Sequence, residues 1–379
     1  MMRTYTMRLK VTKRQQEKLS DLLEHLCVLY NSALEHRKTR WEESRTNVGC
    51  YEQQKMLTAF RLQSKDVALF PLKIQRDPLR RVDLAFKAFF RRVKNGEKPG
   101  YPRFKAKSQY KSFTVTEHFK VQPNMVVLPK LGEFRFKTHY KIKGIPKVVH
   151  VSRRGKHWIA NLVCDIGEAP AKVPVSNAIG IDLGLTTLAT LSDGTEIANP
   201  RWTKQEEKRL AAANQNLSRK ERGSKNRLKS KERLRRVHQR IAGLRKSYVT
   251  GIANLLFQKY DLIAHESLNI KGMAQGNLSK SIMDAAWGSL IWRLTCEAEK
   301  AGKWLIPVNP RNTTKACSGC GELVPKTLSQ RTHSCPSCGL VLGRDHNAAL
   351  NILRLGESLA ERQNINPSLI PDTCPTLTM

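Results

Sequence analysis

The sequence predicts a multidomain α/β protein that also carries a β lobe, a helical lobe and a metal-binding ribbon, and three observations support this. Two short apolar stretches, residues 178–183 and 262–266, each deliver a carboxylate at or near their end and read as buried strands. Residues 112–163 break into strand-like pieces separated by turn signals, whereas residues 13–93 place apolar side chains at helical spacing. Cysteines 317, 320, 335 and 338 form two C-x2-C pairs fourteen residues apart, the spacing of a four-cysteine zinc ribbon.

Charge narrows the function classes. The 379 residues carry 67 Lys plus Arg against 32 Asp plus Glu, a formal net charge of +35. A field of that size selects polyanionic partners, nucleic acid first. No stretch approaches the roughly 18 apolar residues of a spanning helix. The start, MMRTYTMRLK, alternates like a strand and lacks an apolar signal core. Neither membrane anchorage nor secretion is therefore expected, and a cytoplasmic protein is. Nine cysteines, four of them paired, fit metal ligation in a reducing compartment. Cys27, Cys50, Cys164, Cys296 and Cys374 are scattered and read as small buried or tail residues.

In chain order, residues 5–11 form a strand and a helix follows. Thr12 and Gln15 have the form of a capping box, and Leu19, Leu22, Leu23, Leu26, Tyr30 and Ala33 make one helical face. Further helices are expected over 51–62 and 78–93. In the second, Asp77 caps, Pro78 takes the first position, and Leu79, Val82, Phe86, Phe89 and Val93 form the stripe. Residues 95–107, NGEKPGYPRFKAK, mark a change of architecture. The strand pieces 112–116, 126–128, 133–136, 147–151 and 158–163 then predict a small β-barrel or sandwich that the first strand joins, making the helices an insertion in it. In the PRF segment, Phe104 is expected to pack and Tyr101 to stack or pack. Residues 203–246 are strongly basic and nearly free of proline, as long helices facing a phosphate backbone are.

The candidate site residues are acids at element ends. Asp182 follows the run Ala178, Ile179, Ile181, with Gly180 and Gly184 permitting close approach. A carboxylate there binds a cation, does acid–base chemistry or caps a turn. Glu266 ends a second apolar strand, and Asp345 opens a helix within GRDHNAALNI, where capping is the alternative. Three carboxylates brought to one point need cations, and two magnesium ions there suit phosphodiester hydrolysis. The four cysteines saturate a structural zinc without His333.

GIDLGLTTLAT, DLIAHESLNI, CSGCG with CPSCG, and GRDHNAALNI, in that order, resemble the RuvC-type nuclease of TnpB, the RNA-guided protein of bacterial insertion sequences. KPGYPRFKAK and LSKSIMDAAWGSL resemble segments of the same family, and the similarity spans roughly residues 1–355. It implies an RNase H-like (RuvC) core with a zinc-ribbon insert and an amino-terminal β-barrel wedge domain carrying a helical recognition insert. The implied boundaries are 1–13 and 107–172 for the wedge, 14–106 for recognition, 173–310 and 342–356 for the nuclease, 311–341 for the ribbon, and 357–379 for a disordered tail. The implied activity is cleavage of double-stranded DNA, with one strand displaced, by a monomer whose guide RNA comes from the transposon end. Asp182, Glu266 and Asp345 would bind magnesium or manganese, Cys317, Cys320, Cys335 and Cys338 zinc, and residues 278–290 would form a lid. Expected nucleic-acid contacts are Lys73, Gln75, Arg76, Arg80, Arg103, Lys105, Thr114, Arg227, Arg235 and Arg236. A binding-only repressor, a strand-transfer transposase and an actin-like ATPase are the competing readings; the charge and the ribbon oppose the last.

Overall fold

The computed structural model describes residues 1–138, 140–327 and 329–362, and the chain divides into two compact units, Met1–Glu168 and Ala169–Met379. In the first, β1 (Met2–Lys10) is followed by α1 (Lys13–Ser44), α2 (Cys50–Gln63), α3 (Lys65–Ala68) and α4 (Leu72–Lys94). Six strands come next: β2 (Ser112–Val115), β3 (Lys120–Gln122), β4 (Met125–Leu128), β5 (Gly132–Phe136), β6 (Ile145–Arg154) and β7 (His157–Asp165).

These strands form one antiparallel sheet in the order β2-β6-β7-β1-β5-β4-β3. Strand β1 thus lies inside the sheet although four helices separate it in sequence from the other strands. Alternation decides the buried face: Tyr5, Met7 and Leu9 of β1 and Trp158, Ala160 and Leu162 of β7 point into a core shared with Leu19, Leu22 and Leu26 of α1. No β2–β3 pairing closes the ring among the described residues, so the expected barrel is an open sheet.

The capping box of α1 is present, with Gln15 N donating to Thr12 Oγ1 at 3.3 Å and Thr12 N to Gln15 Oε1 at 3.0 Å. Helix α4 corrects the expected start at Pro78. It begins at Leu72 after Pro71, and Pro78 lies inside it. An interior proline removes one backbone hydrogen bond, but Ile74, Pro78, Leu79 and Val82 share a buried side that holds the upstream turns in place. Asp77 forms an i,i+4 ion pair with Arg81 at 2.8 Å instead of capping.

The second unit begins with β8 (Ala178–Leu183), β9 (Thr187–Leu191), β10 (Glu196–Ala198), α5 (Trp202–Gln205), α6 (Glu207–Ser218) and α7 (Lys225–Lys259). It continues with β11 (Leu262–Glu266), α8 (Ile270–Met273), α9 (Ser279–Ala285), α10 (Trp287–Ala301), β12 (Trp304–Val308), β13 (Thr332–Ser334), β14 (Val341–Gly343) and α11 (Arg344–Arg362). The sheet order is β10-β9-β8-β11-β12, with β8, β11 and β12 parallel and β9 and β10 antiparallel.

Helices cover both faces. Ile179, Ile181 and Ile263 pack with α7, α9 and α10, while Leu262, Ala264, Ile306 and Val308 pack with Ile352 and Ala360 of α11. Helix α11 runs to Arg362, past the expected boundary at 356, because Gly356 and Ala360 still pack on the sheet; the rest of the expected tail lies outside the described residues. Among the described residues, no helix is long and apolar enough to cross a membrane.

Candidate metal centres and nucleic-acid surface

The period of two along a strand places two acids on one face. In β8, Gly180 and Asp182 share a side opposite Ile179 and Ile181, and in β11 Glu266 shares its side with Leu262 and Ala264. The parallel register sets Ala264 against Gly180 and His265 against Ile181, so Glu266 follows beside Asp182. Helix α11 crosses this face closely. A Cβ on Gly180 would lie 2.2 Å from Ala349 O, and one on Gly356 would lie 2.3 Å from Ala264 Cβ. Gly180 is therefore required by packing, and the contact sets the first turn of α11, with Asp345, against the strand ends.

Electrostatics register the convergence. Burial pushes the Asp182 carboxyl up to about 7, with further increments from the Glu266 and Asp345 charges and a smaller opposing one from Arg344. Burial also raises Glu266, against a hydrogen bond from Thr313 Oγ1 to Glu266 Oε1 at 2.5 Å. Arg344 Nε donates to Asp345 Oδ1 at 2.9 Å, and Arg331 lies 3.9 Å from Oδ2. Sequence reasoning missed Thr313, Arg331 and Arg344 as partners of the acids. Only the proximity of Arg344 to Asp345 in the chain offered a signal.

The ribbon is built from two matching knuckles. Cys317 N donates to Glu322 O at 2.8 Å and Cys335 N to Leu340 O at 2.9 Å; Gly321 and Gly339, both with positive φ, close the turns. All four sulfurs lie within 4.8 Å of one another, and the pairs Cys317–Cys338 and Cys320–Cys335 are 3.6 Å apart. A tetrahedron with zinc–sulfur arms of about 2.3 Å has edges of about 3.8 Å, so the donor set fits zinc. Backbone N–H groups of Cys338 and Ser337 hold the Cys335 thiol down to about 7. His333 is buried beside Lys326, outside this group.

Two buried asparagines of α11 hold the ribbon. Asn347 accepts from Ser318 N at 2.9 Å and donates to Ala316 O at 2.8 Å; Asn351 donates to Ala316 O at 2.7 Å and Thr313 O at 2.9 Å. One helix thus carries Asp345, fastens the first knuckle and anchors the backbone of the residue that holds Glu266.

The expected nucleic-acid residues divide. Arg80, Arg103 and Arg236 are exposed, and Lys73 is exposed but paired with Glu117 at 2.8 Å. Arg76 is half-buried, and Thr114 meets His150 Nδ1 at 3.0 Å across β2 and β6. Gln75 is a correction: it is fully buried, accepting from Arg61 at 2.5 Å and donating to Val67 O at 2.6 Å. Its amide joins the carbonyls of Val67 and Phe70 as acceptors around the Arg61 guanidinium. Lys105 places Nζ 4.1 Å from the centre of the Tyr30 ring rather than in open solvent. Phe104, expected to pack, is exposed. Arg227 donates to Leu217 O at 2.9 Å and Lys220 O at 2.8 Å, closing the α6–α7 turn, and Arg235 pairs with Glu232 at 2.6 Å. In the expected lid, Asp284 accepts from Thr203 N at 2.9 Å and Arg245 Nη2 at 2.5 Å, tying α9 to α5 and α7.

Comparison with known proteins adds an independent line. Residues 161–277 match a family described as "Probable transposase", 287–352 one described as "Cas12f1-like, TNB domain", and 1–46 one described as "Helix-turn-helix domain". In the last span the structure has β1 and the single helix α1. A protein of Streptomyces pristinaespiralis named "Putative RNA-guided DNA endonuclease" is 31% identical over 368 residues, covering 93% of this chain and 89% of the relative. The Escherichia coli K12 protein "Putative RNA-guided DNA endonuclease InsQ" is 28% identical over 308 residues, 76% of this chain and 75% of its own. In fold, the chain is similar to the protein in a cryo-EM structure of a Cas12f1–sgRNA–target DNA complex, with TM-score 0.57 at 17% identity over 90% of this chain and 83% of the other.

Proposed function

The chain belongs to the TnpB family of RNA-guided DNA endonucleases, and from that premise we propose that it cuts double-stranded DNA selected by a transposon-derived guide RNA. Guide pairing reads the target sequence, and protein contacts read a short flanking motif. The observation that carries the hydrolytic reading is the gathering of Asp182, Glu266 and Asp345 on the α11 face of the parallel strands, close enough for the latter two to raise Asp182.

We assign these three carboxylates to magnesium or manganese, which when bound supplies the Lewis-acid and water-activating chemistry of phosphodiester hydrolysis. The protein's own contribution is orientation and charge. Thr313 fixes one oxygen of Glu266 and Arg344 fixes one oxygen of Asp345. Exposed cations of α7, including Lys225, Lys229, Lys231, Arg233 and Arg236, suit backbone phosphates. The open sheet of the first unit corresponds to the wedge, α1–α4 to the recognition insert, residues 311–341 to the target-binding ribbon and α9 to the lid. The assembly is a monomer on guide RNA at the nucleoid.

Purified ribonucleoprotein with magnesium should linearise a plasmid carrying the guide-matched target. Asp182→Ala should abolish cutting while guide-dependent binding persists. Retained cutting would defeat the triad assignment, and strand-transfer products in place of breaks would favour a transposase.

A further inference from the structure

Between the end of α1 and the second half of α4 lies a groove of about 570 Å³ that no part of the hydrolytic account uses. This is within the size range of small-ligand sites, roughly 300–1,000 Å³. Its walls are aromatic and open: Trp41, Phe90 and Tyr101 are about half exposed, and the Tyr101 ring meets Phe86 and Phe89 edge-on at 5.6 and 5.5 Å. Arg37 also lines it. This side chain is 92% buried, donates through Nε to Gln53 at 2.9 Å and through Nη1 to Asp83 at 3.4 Å, and has no hydrogen-bond partner for Nη2 among the described residues. The guanidinium also stands 5.6 Å from the centre of the Phe86 ring, so this buried cation holds one aromatic wall of the groove in place.

Charge decides what that partner is. The acid lining the groove, Asp83, is already paired with Arg37 and with Lys87 at 3.0 Å, and Arg45 adds a cation 5.7 Å from the Trp41 ring centre. A second copy of the chain would bring another +35 to a positive rim. Flat rings for stacking and a cationic rim together match a nucleotide. Intact duplex DNA would have to unstack a base to supply one, and a displaced strand exists only after a target has opened, whereas the loops of a guide RNA hold unpaired bases from the moment it binds.

We propose that this groove takes one unpaired nucleobase of the guide RNA, stacked on Phe90 beside Tyr101. The proposal rests on the guide-RNA reading above. Ultraviolet cross-linking of the ribonucleoprotein with its copurified RNA, followed by mass spectrometry, should give a ribonucleotide adduct on a peptide holding Phe90 or Tyr101. Phe90→Ala should remove the adduct and weaken binding of that RNA about tenfold, and Phe90→Trp should restore both. A variant that keeps parental RNA affinity and guided cutting overturns the groove assignment alone, whereas a parent protein without RNA overturns the guided reading itself. An adduct that appears only with added DNA and carries a deoxyribonucleotide overturns the assignment to RNA. A change of oligomeric state in Phe90→Ala with unchanged RNA binding assigns the groove to a second copy instead.

Discussion

The zinc ribbon and the carboxylate cluster occupy the same unit and share α11, yet they are built in opposite ways. The ribbon draws its four donors from 22 consecutive residues, and its sulfurs already lie within 4.8 Å of one another. The carboxylates come from three elements spread over 164 residues, and among the described residues the cysteines are the one group of three or more ligating side chains gathered that tightly. Local turns and backbone N–H groups bring thiolates together, whereas the acids are held near one another by tertiary packing against their repulsion. The first centre should therefore take its ligand geometry from its own turns, with α11 only fastening it to the unit, and the second should depend on the whole core.

The largest effects should separate the two. Asp182→Ala is expected to end cleavage while elemental analysis still finds one zinc per chain, and Cys335→Ser to strip the zinc while leaving far-ultraviolet helix content mostly intact. Loss of zinc in Asp182→Ala would show that the centres are not independently built. Next comes the packing of α11. Gly180→Ala puts a methyl 2.2 Å from Ala349 O and should destabilise the core by about 3 kcal/mol in denaturant titrations; a loss below about 0.5 kcal/mol would mean that α11 sits more loosely.

A smaller effect is expected at Thr313. Thr313→Val removes the donor to Glu266 and should weaken magnesium or manganese binding roughly tenfold, in the range of outer-shell partners, without changing zinc content. Isothermal titration in the parent and the variant measures it, and equal affinities would remove Thr313 from the site. The smallest is a slope with pH. A carboxyl raised to about 7 in the folded state and near 3.9 unfolded leaves the folded chain holding the extra proton in between. Its contribution to stability therefore falls as pH rises from about 4 to about 7 and is level above that. In metal-free protein Asp182→Asn should flatten this part of the curve and gain relative stability at pH 8; an unchanged slope would place the titration elsewhere.

The same contrast explains what the amino-acid order reveals. Cysteine spacing encodes its geometry directly, as does the Thr12–Gln15 cap, because both are formed by neighbours in the chain. The apolar stretches ending near Asp182 and Glu266 were legible as strands, but their shared face depends on the β8–β11 register. In α4, Pro78 carries a strong local start signal that the buried upstream turn overrides. Gln75 reads as a surface amide because nothing in its neighbourhood shows that it bonds to Arg61, fourteen positions earlier, and to Val67 O in the interior. Asn347, Asn351 and Thr313 carried no local signal, since each acts through a backbone or side chain distant in the chain.

The cradle at Gly180 also has a bearing on synthesis. During translation the ribosome releases β8 long before α11, with an interval on the order of ten seconds or more at ordinary elongation rates. Until that last helix docks, the nascent polypeptide lacks its third acid and leaves one side of the sheet uncovered. A product ending before residue 344 thus lacks both Asp345 and the two asparagines that fasten the ribbon, so the completion of the carboxylate cluster and the anchoring of the ribbon wait on the same late helix.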